Sequence, residues 1–252
     1  MKFLAITGAP RSGTTAFAKL LNQDPRILIF QEMTMFYPSI PLTKEHVLAD
    51  PLSTKPDADM KPILQAKGIP LSIFDQLDPT DHYGLLKLVS GYLGHFPIIG
   101  DKSPDIYLSP EGYEGVKKAG AKLLIILRHP LDCMASALRN GNMFRSISQP
   151  LHYWMAEQVE ALDVAWVTRL EAFLRVGLES DVEKYVFRYC DATACPTRIV
   201  GEIQEWLGIL PRDLGGLGYK PARIDTWHDV PGMVEKISPR LKELIHAVGY
   251  EV

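Results

Sequence analysis

Eight residues near the start of the chain, Gly8-Ala9-Pro10-Arg11-Ser12-Gly13-Thr14-Thr15, have the make-up of an anion-binding turn. A glycine-rich loop that feeds a helix offers a negative ligand several unpaired backbone N–H groups and the positive end of the helix dipole. Gly8 and Gly13 bracket four residues, the spacing of a nucleoside-triphosphate loop, but Thr14 stands where such a loop has the lysine that reaches the β- and γ-phosphates. Triphosphate hydrolysis is therefore not expected. The cation comes three residues earlier, at Arg11, where it can neutralise charge at the bridge between a terminal phosphate and the group it carries.

Further chemistry-bearing residues follow at intervals. Glu32 lies 21 residues after Arg11, Lys102 falls in Gly-Asp-Lys-Ser-Pro, and Arg128 precedes Ser136 by eight residues in Arg-His-Pro-Leu-Asp-Cys-Met-Ala-Ser. A guanidinium donates to a phosphate in a planar fork. Ser136 would sit ~9 Å along a helix starting at Pro130, within reach of a ligand that an extended Arg128 also touches.

These residues need a scaffold that brings them together. Lys2 to Thr7 is a short apolar run ending in glycine, and Thr14 to Leu21 has helical spacing, so strand, loop and helix succeed one another. Ala121 to Leu127 lacks polar alternation after Lys122, as expected of a parallel strand covered on both faces. Phe96 to Ile99, Ile27 to Phe30 and Lys184 to Phe187 are further strand candidates. Helices are expected at Leu108 to Ala119, Pro130 to Arg139, Gln149 to Arg175, Thr197 to Leu207 and Pro239 to Val248. The implied fold class is α/β: a P-loop-like three-layer fold whose central, mostly parallel sheet is flanked by helices, with ligands at the carboxyl ends of the strands.

With 252 residues, 46 % of them apolar and 23 % charged, the chain suits a single domain. A net charge of -3 gives no reason to expect a broad nucleic-acid or anionic-membrane surface, so any anion site must be local. Cys133, Cys190 and Cys195 have no zinc or redox spacing. No apolar run approaches the ~20 residues of a membrane span, and Met-Lys-Phe-Leu-Ala-Ile-Thr has no room for a leader peptide; a cytoplasmic protein is the expectation.

Pro10 to Thr15 resembles, position for position, the 5′-phosphosulfate loop Pro-[Lys/Arg]-Ser-Gly-Thr-Thr of the sulfotransferases that use 3′-phosphoadenosine 5′-phosphosulfate. Arginine at the second position is the pattern of the protein-tyrosine sulfotransferases and many bacterial members. Arg128 and Ser136 match the family's pair for the 3′-phosphate. Tyr189, in Val-Phe-Arg-Tyr-Cys-Asp-Ala, is similar to the tyrosine of the family's Arg-Tyr-Glu-Asp-Leu segment, which departs here at Cys190 and Ala192. The resemblance spans Lys2 to Leu207.

The resemblance implies transfer of a sulfonate group from 3′-phosphoadenosine 5′-phosphosulfate to a hydroxyl, leaving adenosine 3′,5′-bisphosphate. Arg11, Ser12, Gly13, Thr14, Thr15, Arg128, Ser136 and Tyr189 would bind the nucleotide, and no metal is required. Glu32 has the spacing of the tyrosine sulfotransferases' catalytic glutamate, and Lys102 matches the lysine that neutralises the sulfonate, with Arg11 completing the clamp. The histidine that cytosolic members use is absent after Lys102-Ser103-Pro104.

Several readings stay open. Glu32 could be a strand-end surface residue or pair with Arg11, Asp101 could pair with Lys102, and Tyr189 could be packing. His82 or His95 could serve as base in place of Glu32, whereas His129 reads as a turn residue. Residues 33–96 are expected to form an acceptor-binding cap, irregular over Thr34 to Gln76, and 211–236 a lid loop in which Trp227, Arg223 and Lys236 either pack or touch the nucleotide. Met33, Met35, Phe36, Tyr37, Phe74 and Tyr83 suit an apolar acceptor or a packed cap equally, so the acceptor, small molecule or peptide, is not legible. Neither is the oligomeric state. A P-loop nucleotide or metabolite kinase and a non-catalytic adenosine 3′,5′-bisphosphate-binding module are the competing readings.

Overall fold

The structure is a computed structural model, and it describes residues 2–32, 35–37, 48, 60–78, 88, 91, 95–139, 159–178, 181–214 and 224–252. β1 (Lys2–Gly8) passes through the glycine loop into α1 (Thr14–Leu21) and on to β2 (Ile27–Gln31). Then come α2 (Lys61–Ala66), a 3-10 turn over Leu71–Gln76, β3 (Ile98–Lys102), a 3-10 turn over Ile106–Leu108, α3 (Pro110–Lys118) and β4 (Lys122–Leu127). α4 (Pro130–Arg139), α5 (Val159–Leu178), β5 (Lys184–Arg188), α6 (Tyr189–Ala194) and α7 (Pro196–Trp206) follow. A 3-10 turn over Thr226–Asp229, α8 (Met233–Lys236) and α9 (Pro239–Ala247) end the series.

The five strands form one parallel sheet in the order β2-β3-β1-β4-β5. Unalternating apolar strands are explained by layers on both sides. Leu28, Phe30, Ile99, Leu123 and Ile125 belong to one core, which takes in Val116 of α3 and Phe74. Ile27, Ile29, Ile98, Leu124 and Ile126 belong to another, built with Phe17 and Leu21 of α1 and Ile199 and Ile203 of α7. A third core packs α4 and α5 against α9 through Met134, Trp166, Leu241 and Leu244. Each side chain buried this way contributes about 1.5–3 kcal/mol.

Helix starts follow local chemistry. The Ser109 hydroxyl accepts from the Gly112 N–H at 3.1 Å and Ser238 from Leu241 at 3.1 Å, each followed by a proline in the first turn. The strands differ from expectation at their ends: β2 runs on to Gln31, β3 to Lys102 and β5 to Arg188. Sequence patterning stops a strand at polar residues, but Gln31, Asp101 and Lys102 are buried here and stay in register within the sheet. Two expected irregular stretches hold short helical pieces: α2 and its 3-10 turn in Thr34 to Gln76, and the Thr226 turn with α8 in 211–236. Met33, Tyr83, His82, Arg223 and the start of the helix expected from Gln149 lie outside the described residues. Among the described residues no helix is long and apolar enough to cross a membrane.

Gly100 sits at the centre of β3, where an added Cβ would collide with the carbonyl oxygen of Leu4 and come within 3.0 Å of Ile29 Cδ1. Gly100→Ala should therefore cost about 1–3 kcal/mol in urea unfolding, as strand separation spreads toward Lys102; an unchanged midpoint would contradict this packing.

Candidate active site

In a parallel sheet all carboxyl ends share one edge, and the crevice outside that edge is where ligands bind. The residues that leave β1, β2, β3, β4 and β5 there are the glycine loop, Glu32, Ser103, Arg128 and Tyr189. The long sequence separations among the candidate residues thus collapse onto one rim.

The loop closes on itself through Ser12 N–H to Ala9 O at 3.0 Å. Arg11 and Gly13 have left-handed φ of 72° and 93°, which turns successive N–H groups toward a concave mouth before α1 begins at Thr14. Glycine is required at position 13 because an added Cβ would also strike the Tyr189 ring. The Ser12 hydroxyl is 1 % exposed and has no hydrogen-bond partner among the described residues. Thr14 is buried and Thr15 exposed at the first turn.

Arg128 is 5 % exposed, lies with its guanidinium 4.9 Å from the centre of the Tyr189 ring, and donates from Nη1 to the carbonyl of Arg11 at 2.9 Å. Arg11 in turn donates from Nε to the hydroxyl of Ser136 at 3.0 Å. Burial pulls the pKa of Arg11 down and the charge of Arg128 acts in the same direction, yet a guanidinium stays protonated at neutral pH. Cys133 beneath them is pushed up to about 12 by burial and stays a neutral thiol.

On the next strands the Lys102 ammonium pairs with the Glu32 carboxylate. Lys102 is 2 % exposed and the Glu32 side chain 36 %, so the carboxylate faces the crevice and the ammonium lies beneath it. Glu32 adopts a left-handed φ of 56°, and its N–H donates to Lys102 O at 2.8 Å. Such a conformation costs about 1–3 kcal/mol outside glycine. Among the described residues the other left-handed non-glycines are Arg11, Asp105 and Asp225, each at the rim or bound to it.

These contacts settle several open pairings. Glu32 pairs with Lys102, while Arg11 turns to Ser136. Asp101 accepts from Met35 N–H at 3.2 Å and from the Ser103 hydroxyl at 3.0 Å. His95 precedes β3 and is exposed on Phe96, at the amino edge of the sheet, too far from the rim to act as base. His129 accepts from Leu131 N–H through Nδ1 and contacts Glu251 O through Nε2, the bonding of a neutral turn residue whose pKa burial lowers. Trp227 stacks on His129 with ring centres 5.6 Å apart. Tyr189 is 3 % exposed and packed between Gly13 and Arg128.

Two supports were not anticipated. The Asp132 carboxylate, 4.0 Å from Arg128 Nε, accepts from Asp225 N–H, Thr226 N–H and the Thr226 hydroxyl at 3.0, 2.6 and 2.9 Å, which fastens the Thr226 turn to α4. Arg169 forks onto Asp105 at 2.9 and 3.0 Å, and Asp105 N–H donates to Gly8 O at 3.1 Å, bracing the loop from α5. The four-residue step from Arg128 to Asp132 was a visible signal for the first. No local signal marks the second. Among the described residues no cluster of His, Cys, Asp and Glu could hold a metal ion.

Neither a protein-family model nor a curated protein sequence matches the chain. Solved structures do. The sulfotransferase domain from the Synechococcus PCC 7002 olefin synthase superposes with a TM-score of 0.69 over 100 % of this chain and 96 % of that one, at 14 % identity. For the sulfotransferase domain from the curacin biosynthetic pathway the values are 0.67, 100 %, 98 % and 13 %. Sulfotransferase STF9 from Mycobacterium avium matches at 0.59 over 100 % of this chain and 78 % of its own, with 17 % identity. At such identities the likeness concerns architecture: the chain has the three-layer fold of the sulfotransferases, with its glycine loop and cations on the carboxyl rim of the parallel sheet.

Proposed function

We propose that the chain transfers a sulfonate group from 3′-phosphoadenosine 5′-phosphosulfate to a hydroxyl acceptor and releases adenosine 3′,5′-bisphosphate. One observation carries the reading: two anion motifs 117 residues apart meet in one corner, Arg128 bonded to the carbonyl of Arg11 at 2.9 Å and Arg11 to Ser136 at 3.0 Å. A ligand with phosphates on two sides of a ribose suits such a corner. A triphosphate with its metal does not, because the loop lacks the lysine that would reach the outer phosphates.

In this scheme the loop N–H groups with Ser12, Thr14 and Thr15 hold the 5′-phosphate, and Arg128 with Ser136 holds the 3′-phosphate. Tyr189 backs the nucleotide site through Gly13 and Arg128. Glu32 takes the proton of the attacking hydroxyl. Arg11 leaves Ser136 for the phosphosulfate bridge as the 3′-phosphate arrives, and with Lys102 it offsets the charge that develops on the departing phosphate. No residue in the scheme calls for a metal, and the protein acts in the cytoplasm.

Two variants test the assignment. Arg128→Ala should weaken adenosine 3′,5′-bisphosphate about 10–100-fold more than adenosine 5′-phosphate in the same calorimetric titration, a charge-assisted 3′ contact being lost on top of the loop's tie to Arg128; equal losses would remove the 3′-phosphate assignment. Glu32→Gln should slow labelled-sulfonate transfer about 10²–10⁴-fold with bisphosphate affinity close to wild type. Unchanged turnover would place the base elsewhere.

A further inference from the structure

We propose that Gln31 is a positioning residue for the Lys102–Glu32 pair, receiving the Lys102 ammonium when Glu32 becomes protonated. The inference rests on the sulfonate-transfer reading above. Gln31 ends β2 and pairs in register with Lys102 of β3, so the two side chains stand on the same face of the sheet with backbones about 4.8 Å apart. Gln31 is 2 % exposed, and both its Nε2 and its Oε1 are buried without a hydrogen-bond partner among the described residues. A buried carboxamide that makes no bond is costly, and a leucine or methionine would fill the space without that cost. The resting structure therefore does not account for glutamine here.

The reaction does. At rest the ammonium of Lys102 is held by Glu32, whose left-handed φ of 56° bends the chain after Gln31 back toward Lys102. During transfer the acceptor oxygen bonds to sulfur, its proton passes to Glu32, and the bond from sulfur to the 5′-phosphate oxygen breaks with its electron pair on the nucleotide. Glu32 is then a neutral carboxyl and holds the ammonium weakly. Lys102, itself 2 % exposed, cannot turn to water for a replacement. The Oε1 of Gln31 accepts one Lys102 N–H and keeps the ammonium aimed at the sulfonate, while Nε2 donates to the Glu32 carbonyl oxygen and leaves the new proton on the other oxygen. A neutral amide suits this role because a carboxylate at position 31 would draw Lys102 away from Glu32 at rest.

The test follows release of adenosine 3′,5′-bisphosphate from the sulfonate donor, with water as acceptor, in Gln31→Met, Lys102→Met and the double variant. Gln31→Met should lower kcat about 10-fold, leave donor KM within about twofold, and leave Tm unchanged or raised because two unsatisfied atoms have gone. In the Lys102→Met background the same change should cost less than about twofold, since the partner it positions is missing. Full activity of Gln31→Met, or an equal loss in both backgrounds, would overturn the proposal. A wild-type protein that neither binds the bisphosphate nor releases it from the donor would instead overturn the sulfonate-transfer reading.

Discussion

The hydrogen bond from the Arg128 guanidinium to the carbonyl of Arg11 ties the end of β4 to the mouth of the glycine loop. Much of the rim depends on it. The bond joins the motif at the end of the first strand to the one after the fourth, which the parallel order makes neighbours. Asp132 holds the same guanidinium from α4, and the Tyr189 ring backs it from α6. Arg128 is thus held from three directions. Preorganised charge of this kind stabilises an anion without reorganisation at the moment of binding.

An overall negative chain concentrates three cations, Arg11, Lys102 and Arg128, on one rim. Their burial is what makes the arrangement informative, since buried charge is tolerated only with partners. Lys102 has Glu32 as its partner, so an ammonium and a carboxylate are in contact where β2 and β3 end. The charge of Arg128 bears on Arg11, while the Asp132 carboxylate lies 4.0 Å from Arg128 Nε. The two halves of the rim therefore differ: at one a carboxylate meets an ammonium, and at the other two guanidinium groups act on each other with a carboxylate beside Arg128.

Much of this was legible from residue types and spacing. Apolar runs without alternation in Lys2 to Thr7 and Lys122 to Leu127 report a sheet covered on both faces, and Gly8 to Thr15 reports an anion loop at a helix start. What escaped was whatever depended on contacts between distant segments. A pattern reading ends the strands short of Gln31 and of Asp101-Lys102 because polar residues stop a strand there, although here they are buried within it. Arg169 and Asp105 meet across 64 residues, and neither has a local signature. The left-handed backbone at Arg11 and Glu32 is likewise invisible in residue type, since neither is a glycine or asparagine. Even the hydrogen bond of Arg11 to Ser136, rather than to Glu32, follows only from the fold.

In the function proposed above, the rim takes a nucleotide that carries phosphate on both its 3′ and 5′ positions. Calorimetric titration of the wild-type chain with adenosine 3′,5′-bisphosphate, adenosine 5′-phosphate and ATP with magnesium tests it most directly. The bisphosphate should bind at least about 10-fold more tightly than either of the others, the worth of one charge-assisted contact at the 3′ position. Equal affinity for all three, or a preference for ATP with magnesium, would contradict it.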